Sequence, residues 1–285
     1  KILPPLAHIV QVPGKNIRSK LVHAFNYWLK APADKLVEVG DMSEYLHNAS
    51  LLIDDIQDNA VLRRGIPAAH KIYGVSCTIN AAKYGIVTGI KKVLSLNHPD
   101  ATTVFTELVL DALRGQEMDI HWRDTFVCPS VEEYKEIVKR KTGALFTCQM
   151  KMMQLYSKDK TDFTKLTEIL GLYFQIRDDY CNLRLQEYSQ KKGYCDDLTE
   201  GKFSFPIIHA IKSYPDDTQV LDILRQRTHD VELKKHCVTL LEKFGSFSYT
   251  RDTLEQLDAA LGAEVVKHGG NPKLEAILDE LRNWK

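Results

Sequence analysis

The chain has 285 residues, 44% of them hydrophobic and 27% charged, enough to bury one large core or two ordinary ones. Its 38 Lys and Arg balance 38 Asp and Glu, which excludes a global field drawing nucleic acid or anionic membrane, so charge-driven recognition must be local. The six cysteines are scattered, without a Cys-x-x-Cys pair or a metal spacing with His, and no apolar run reaches the roughly 18 residues of a membrane span, so neither a disulfide scaffold nor a transmembrane protein is expected.

The opening KILPPLAHIV is broken by Pro4 and Pro5, which makes a poor signal-peptide core. The chain starts at Lys1 without Met; a cytoplasmic location is expected, or an organellar one if an upstream targeting segment has been removed. Apolar residues then recur at helical spacing: Leu21, Phe25 and Leu29; Leu36, Val39, Leu46 and Ile53; Val104, Leu108 and Val109; Leu145, Met152 and Leu155. Ser130 with Glu133 three residues later forms a capping box. Asn271 followed by Pro272 starts a last helix, with proline where its missing N–H costs nothing. Alternating patterns are almost absent, and no linker or repeat divides the chain. The expectation is one all-α domain over residues 1–285, a helical bundle.

Two segments echo each other: LLIDDIQDN at 51–59 and FQIRDDYCN at 174–182. On a helix Asp54 and Asp58 stack one turn apart, with Asp55 at their flank, and such like charges repel unless a cation lies between them. In the second segment Asp178 and Asp179 repeat the pair, while Asn182 stands four residues after Asp178. A solvated helix face is the plain reading of one acidic triplet. Two copies in strongly apolar surroundings point instead to a site, because unpaired buried carboxylates are costly. Oxygen ligands without His or Cys indicate a hard cation such as Mg²⁺, which one or two carboxylates hold together with phosphate oxygens and water. Arg63, Arg64, Lys141 and Lys202 add positive charge, and the sum describes a receptacle for a polyphosphate.

These segments resemble the two aspartate-rich motifs of trans-isoprenyl diphosphate synthases. VPGKNIRSKL, RKTGALF and DDLTEGKFSFPIIHAI extend the likeness over essentially the whole chain, nearest to the animal and fungal type of geranylgeranyl diphosphate synthase. The resemblance implies an all-α prenyl-synthase fold with the two motifs facing a central cavity. It implies that Asp54, Asp58 and Asp178 ligate Mg²⁺ on an allylic diphosphate, with Asp55 and Asp179 as supporting or additional ligands. Arg63, Lys141, Thr142, Gln175, Lys192 and Lys202 would contact that diphosphate, and Lys15, Arg18, His47 and Arg64 would hold isopentenyl diphosphate. The implied chemistry is ionisation to an allylic cation, attack by the isopentenyl double bond, and loss of a proton to the released diphosphate. A homodimer or larger homo-oligomer follows from the same resemblance.

In this family the floor of the product tunnel lies before the first aspartate. Ala49 and Ser50 are small and leave the first layer open, whereas Tyr45 is bulkier than expected of close relatives. Gln149 and Lys151 put polar groups on the facing helix. Lys151 falls about 80° from Lys141 around that helix, so it should flank the tunnel and reach outward. A geranylgeranyl product is therefore expected, from farnesyl and isopentenyl diphosphates. The alternatives are a shorter-chain C10 or C15 synthase, a terpene synthase on the same scaffold, and a non-catalytic partner subunit. Intact Lys15, Arg18, His47 and Arg64 speak against the lyase, and retention of both aspartate motifs speaks against the partner subunit.

Overall fold

The computed structural model describes residues 3–12, 14, 16–185 and 193–284, and these are almost entirely helical. The helices are α1 (Pro4–Val10), α2 (Ile17–Leu29), α3 (Ala33–Gln57), α4 (Ala69–Tyr73), α5 (Val75–Ser95), α6 (Ala101–Thr125), α7 (Val131–Val138), α8 (Ala144–Gln154) and α9 (Thr164–Arg184), with a π-helical turn at Lys139–Gly143. There follow α10 (Asp196–Glu200), α11 (Phe205–Ser213), α12 (Gln219–Arg225), α13 (Val231–Lys243), α14 (Ser246–Lys267) and α15 (Pro272–Leu281). The sheet seen among the described residues is one hairpin of β1 (Leu62–Arg63) and β2 (Ile66–Pro67), an element that hydrophobic periodicity did not signal.

The chain divides into two compact units with interleaved segments: residues 1–108, 146–163 and 270–280 form the first, and residues 109–145, 164–269 and 281–285 the second. In unit one the centre is the packing of α3 on α5. Small residues let the two backbones approach: a Cβ placed on Gly85 would stand 2.9 Å from that of Ala49, and one on Gly89 would meet Leu46 at 3.3 Å. Leu52 is fully buried in a cluster with Leu6, Ile9, Ala69, Ala81 and Ala82, and its burial contributes about 2 kcal/mol. This packing fixes the last turn of α3, where the first acidic motif sits.

In unit two α9 packs on α14, and Leu170, Tyr173 and Ile176 of the first and Phe247 and Leu254 of the second are buried. Arg177, fully buried on α9, donates to the Leu281 carbonyl at 2.7 Å and to Asn283, and Trp284 donates to the Tyr173 hydroxyl at 2.9 Å. The residues after α15 are thereby bound to the helix that carries the second acidic pair. The two capping expectations are met: Ser130 and Glu133 exchange both bonds of the capping box, and Asn271 accepts from the Leu274 N–H at 3.0 Å. Burial pushes the Cys148 thiol up to about 12, which makes it an inert packing group.

Candidate functional site

In unit one, Asp54 and Asp55 occupy the end of α3 and Asp58 is its C-cap, its N–H bonded to the Asp54 carbonyl at 2.9 Å. One helical turn therefore separates Asp54 from Asp58, as their spacing predicts. Both are half-buried, whereas Asp55 is fully buried. The chain then turns through the hairpin, whose tip residues Arg64 and Gly65 both have positive φ, 57° and 83°, the pair that a two-residue I′ turn needs.

This turn sends the two adjacent arginines to different partners. Arg63 returns to the acidic motif: its Nε donates to Asp55 Oδ1 at 2.6 Å, and its Nη2 contacts Asp55 and, at 3.3 Å, Asp54 Oδ2. Arg64 instead donates to the carbonyls of Ile9 and Val12, both at 2.9 Å, and lies against Gly14. Those two bonds offset the roughly 1–2 kcal/mol that a left-handed conformation costs a residue with a Cβ.

A second basic group is centred on Arg18 and His47. Arg18 Nη1 donates to His47 Nε2 at 2.9 Å, and its guanidinium lies 5.8 Å from the Phe146 ring centre. Burial, with Arg64 nearby, pulls Arg18 down to about 10, still charged at neutral pH, while Glu44 opposes the drop. Burial and then Arg18, Arg64 and Arg63 hold His47 well below the ordinary histidine range, so it is neutral and accepts through Nε2. Arg18 Nε and His47 Nδ1 are buried donors without a protein partner, a condition that an anionic ligand or water would relieve.

In unit two, Lys141 and Thr142 lie in the π-helical turn, a geometry that often marks functional sites. Tight packing sets it: a Cβ on Gly115 of α6 would stand 2.4 Å from the Lys141 nitrogen, and one on Gly171 of α9 would stand 2.8 Å from Gly143 Cα. Lys141 Nζ donates to Asp119 Oδ2 at 2.6 Å, and Thr142 Oγ1 donates to Gln175 Oε1 at 2.9 Å. Asp179 accepts from Gln175 Nε2 and Lys202 Nζ, each at 2.9 Å. Burial alone would lower the Lys202 amine, but Asp179, Asp197, Glu200 and Asp119 outweigh it and hold it well above its ordinary value. Lys141, Thr142, Gln175 and Lys202 line one cleft with Asp119, Tyr134 and Trp122.

Asp178 is half-buried beside the buried Asp179 on α9. Lys15 and Lys192 lie outside the described residues. For the residues expected to shape a tunnel, the structure gives different surroundings. Tyr45 is half-buried with Lys92 Nζ 5.3 Å from its ring centre, Ala49 is fully buried against α5, and Ser50 is exposed with its hydroxyl on the His47 carbonyl at 2.8 Å. Gln149 is buried and donates to the Arg18 carbonyl at 3.4 Å, while Lys151 is exposed as its position on the wheel predicts.

Among the described residues no three His, Cys, Asp or Glu side chains gather closely enough to hold a metal unaided. Asp54 and Asp58 nonetheless fit Mg²⁺, being oxygen ligands one turn apart that leave further positions for phosphate and water. Sequence reasoning missed Asp119, Tyr134, Gly115 and Gly171. A glycine inside a helix costs about 1 kcal/mol against alanine, so Gly115 and Gly171, both in mid-helix, were signals of close approach; Asp119 and Tyr134 carry none.

A family model described as polyprenyl synthetase matches residues 1–241. A terpene synthase of Matsumurasca onukii is 65% identical over 284 residues, covering 100% of this chain and 94% of that protein. A geranylgeranyl pyrophosphate synthase of Mucor circinelloides f. lusitanicus is 45% identical over 281 residues, covering 99% and 93%. Another geranylgeranyl pyrophosphate synthase, from Penicillium paxilli, is 49% identical over 281 residues, covering 97% and 76%.

Proposed function

The chain belongs to the polyprenyl synthetase family, and from that premise we propose that it is a Mg²⁺-dependent trans-prenyltransferase. It condenses an allylic diphosphate, farnesyl diphosphate, with isopentenyl diphosphate to give geranylgeranyl diphosphate. The whole chain acts as one synthase domain. The observation that carries this reading is the division of the paired arginines. Arg63 serves the acidic motif, while Arg64 stands with the Arg18 group, so unit one holds a basic centre separate from its carboxylates. Two diphosphates need two such centres; an enzyme that only ionises one substrate needs one.

Each side chain then has a part in the reaction. Asp54 and Asp58 in unit one, and Asp178 in unit two, would each serve as ligands of Mg²⁺, which when bound supplies Lewis-acid withdrawal of charge from the leaving diphosphate. Lys141 and Lys202 neutralise the charge that grows on that diphosphate as the C1–O bond breaks, and Thr142 and Gln175 orient it. Arg63, beyond its bonds to Asp54 and Asp55, serves as an allylic-diphosphate contact of unit one. Arg18, Arg64 and neutral His47 hold isopentenyl diphosphate so that its double bond meets the allylic cation, and fixing the two reactants supplies much of the acceleration. The proton lost in the last step passes to the released diphosphate, so the protein needs no nucleophile or dedicated base.

No helix among the described residues is long and apolar enough to cross a membrane. The enzyme acts as a homodimer or larger homo-oligomer, and an exposed apolar stripe on α5 supports this. A cytoplasmic location, or an organellar one if an upstream targeting segment has been removed, goes with this reading.

The 65% identity to a protein named terpene synthase favours one second reading, a lyase that releases a hydrocarbon or alcohol from the allylic substrate alone. Product analysis separates the two. Incubation with farnesyl diphosphate and Mg²⁺, with and without isopentenyl diphosphate, is expected to give geranylgeranyl diphosphate only when both substrates are present. Efficient terpene release without isopentenyl diphosphate overturns the transferase reading.

A further inference from the structure

Asp179 is held by an extensive set of donors. It is fully buried and accepts two hydrogen bonds on each oxygen: Gln175 and Lys202 on Oδ1, and the Tyr134 hydroxyl at 2.6 Å with the Phe205 N–H at 2.9 Å on Oδ2. A carboxylate offers about four lone-pair directions, so these donors saturate it. Tyr134 comes from α7, and its ring packs on Phe205 with centroids 5.4 Å apart.

We infer that Tyr134 is a positioning residue of the diphosphate site, acting through Asp179 on Lys202 and Gln175 and, by way of Gln175, on Thr142. The hydroxyl and the Phe205 N–H pin Oδ2, which leaves Oδ1 aimed at the two side chains that line the cleft. Lys202 has a competing acceptor, Asp197 Oδ2, 3.9 Å from its amine. Without the Tyr134 hydroxyl, Oδ2 is a buried acceptor short of a donor. Rotation of the carboxylate to recover one releases Lys202 toward Asp197 and removes the fixed acceptor of Gln175. Asp179 therefore serves by position and does not ligate metal, and Tyr134 belongs functionally with Asp179, which stands 45 positions away in the chain.

The inference rests on the reading of the Lys141–Lys202 cleft as the allylic-diphosphate site, so the test includes a probe that needs no turnover. Tyr134→Phe in the full chain keeps the ring and deletes the donor. Its affinity for inorganic pyrophosphate with Mg²⁺, measured by calorimetry, is expected to fall about tenfold. The kcat/KM for the allylic substrate should fall by about the same factor. The KM for isopentenyl diphosphate should stay within about twofold, which a general loss of structure would not spare. In a Lys202→Met background the same substitution should add clearly less than its full tenfold, because one of the two side chains through which it acts is already removed and only the Gln175 branch remains. Wild-type pyrophosphate affinity in Tyr134→Phe, or a full multiplication of the two losses, overturns the inference. Asp179→Asn, of equal size, is the second variant should the first not fold, and it should reproduce the selective loss of pyrophosphate; unchanged binding overturns the inference equally. If the wild-type chain turns over neither isoprenoid substrate while Tyr134→Phe still weakens pyrophosphate, the transfer reading fails and the role of Tyr134 stands.

Discussion

The chemistry of this chain depends on which charges are shared and which are kept apart. Asp54 is the carboxylate whose loss tests metal ionisation most directly, because Asp55 is committed to Arg63 within the fold. Asp54→Asn is expected to lower activity by roughly a hundredfold, with part of the loss recovered at high Mg²⁺; rate measured against Mg²⁺ concentration checks this. His47 gives a second test at this scale. Burial and the neighbouring arginines depress its folded value, so the unfolded chain takes up a proton that the folded chain resists. The stability allowed by neutral His47 is complete above about pH 6.5 and is lost as pH falls toward the depressed value. Denaturant midpoints should therefore drop between pH 7.5 and 5.5 by more in the wild type than in His47→Gln. The acidic motifs were legible because helical spacing alone puts Asp54 and Asp58 on one face. Asp119 and Tyr134 were not legible: each meets its partner, Lys141 or Asp179, only through tertiary packing, 22 and 45 residues away.

Two elements show what local sequence determines and what it does not. The start of α7 is local: Ser130 and Glu133 satisfy each other's backbone N–H groups within one turn, so the capping box could be read directly. Ser130→Ala should cost about 1 kcal/mol in thermal or denaturant unfolding and leave kcat nearly unchanged, since the capping bonds of Ser130 are made with Glu133 and not with the side chains of the cleft. The π-helical turn that begins where α7 ends has a distant cause, the close approach of Gly115 and Gly171, and no pattern within KRKTG announces it. A methyl group at 115 would stand 2.4 Å from the Lys141 nitrogen, in backbone that cannot move aside cheaply. Gly115→Ala is thus expected to destabilise by about 1–3 kcal/mol and, by shifting Lys141 and Thr142, to lower kcat/KM for the allylic substrate more than for isopentenyl diphosphate. Competing-substrate kinetics on the folded variant check the selectivity, and equal losses for both substrates would make the effect one of stability alone.

Across the whole molecule, periodicity establishes that the chain is helical but not how its segments are distributed. Residues 146–163 and 270–280 return to the unit built by residues 1–108, and the apolar stripes of α8 and α15 look the same whichever unit they serve. The same ambiguity applies to surface stripes. On α5, Ala81, Ala82, Gly85, Gly89 and Val93 face the core, while Val87 and Leu94 remain 63% and 60% exposed and Ile90 lies between them. These three residues, at spacing i, i+3 and i+7, form a continuous apolar ridge. The exposed Lys83 and Lys91 flank it. A ridge of this kind on a homo-oligomer is self-complementary about a two-fold axis, since each copy offers the surface it needs. Val87→Asp combined with Leu94→Asp would set four carboxylates against one another across that axis. If the proposed homo-oligomer assembles through this ridge, sedimentation should then report a monomer. Because both side chains already face solvent in the single chain, the intrinsic fold should survive and the helical circular dichroism signal should be unchanged. A variant that still sediments as a dimer would move the interface off this face of α5.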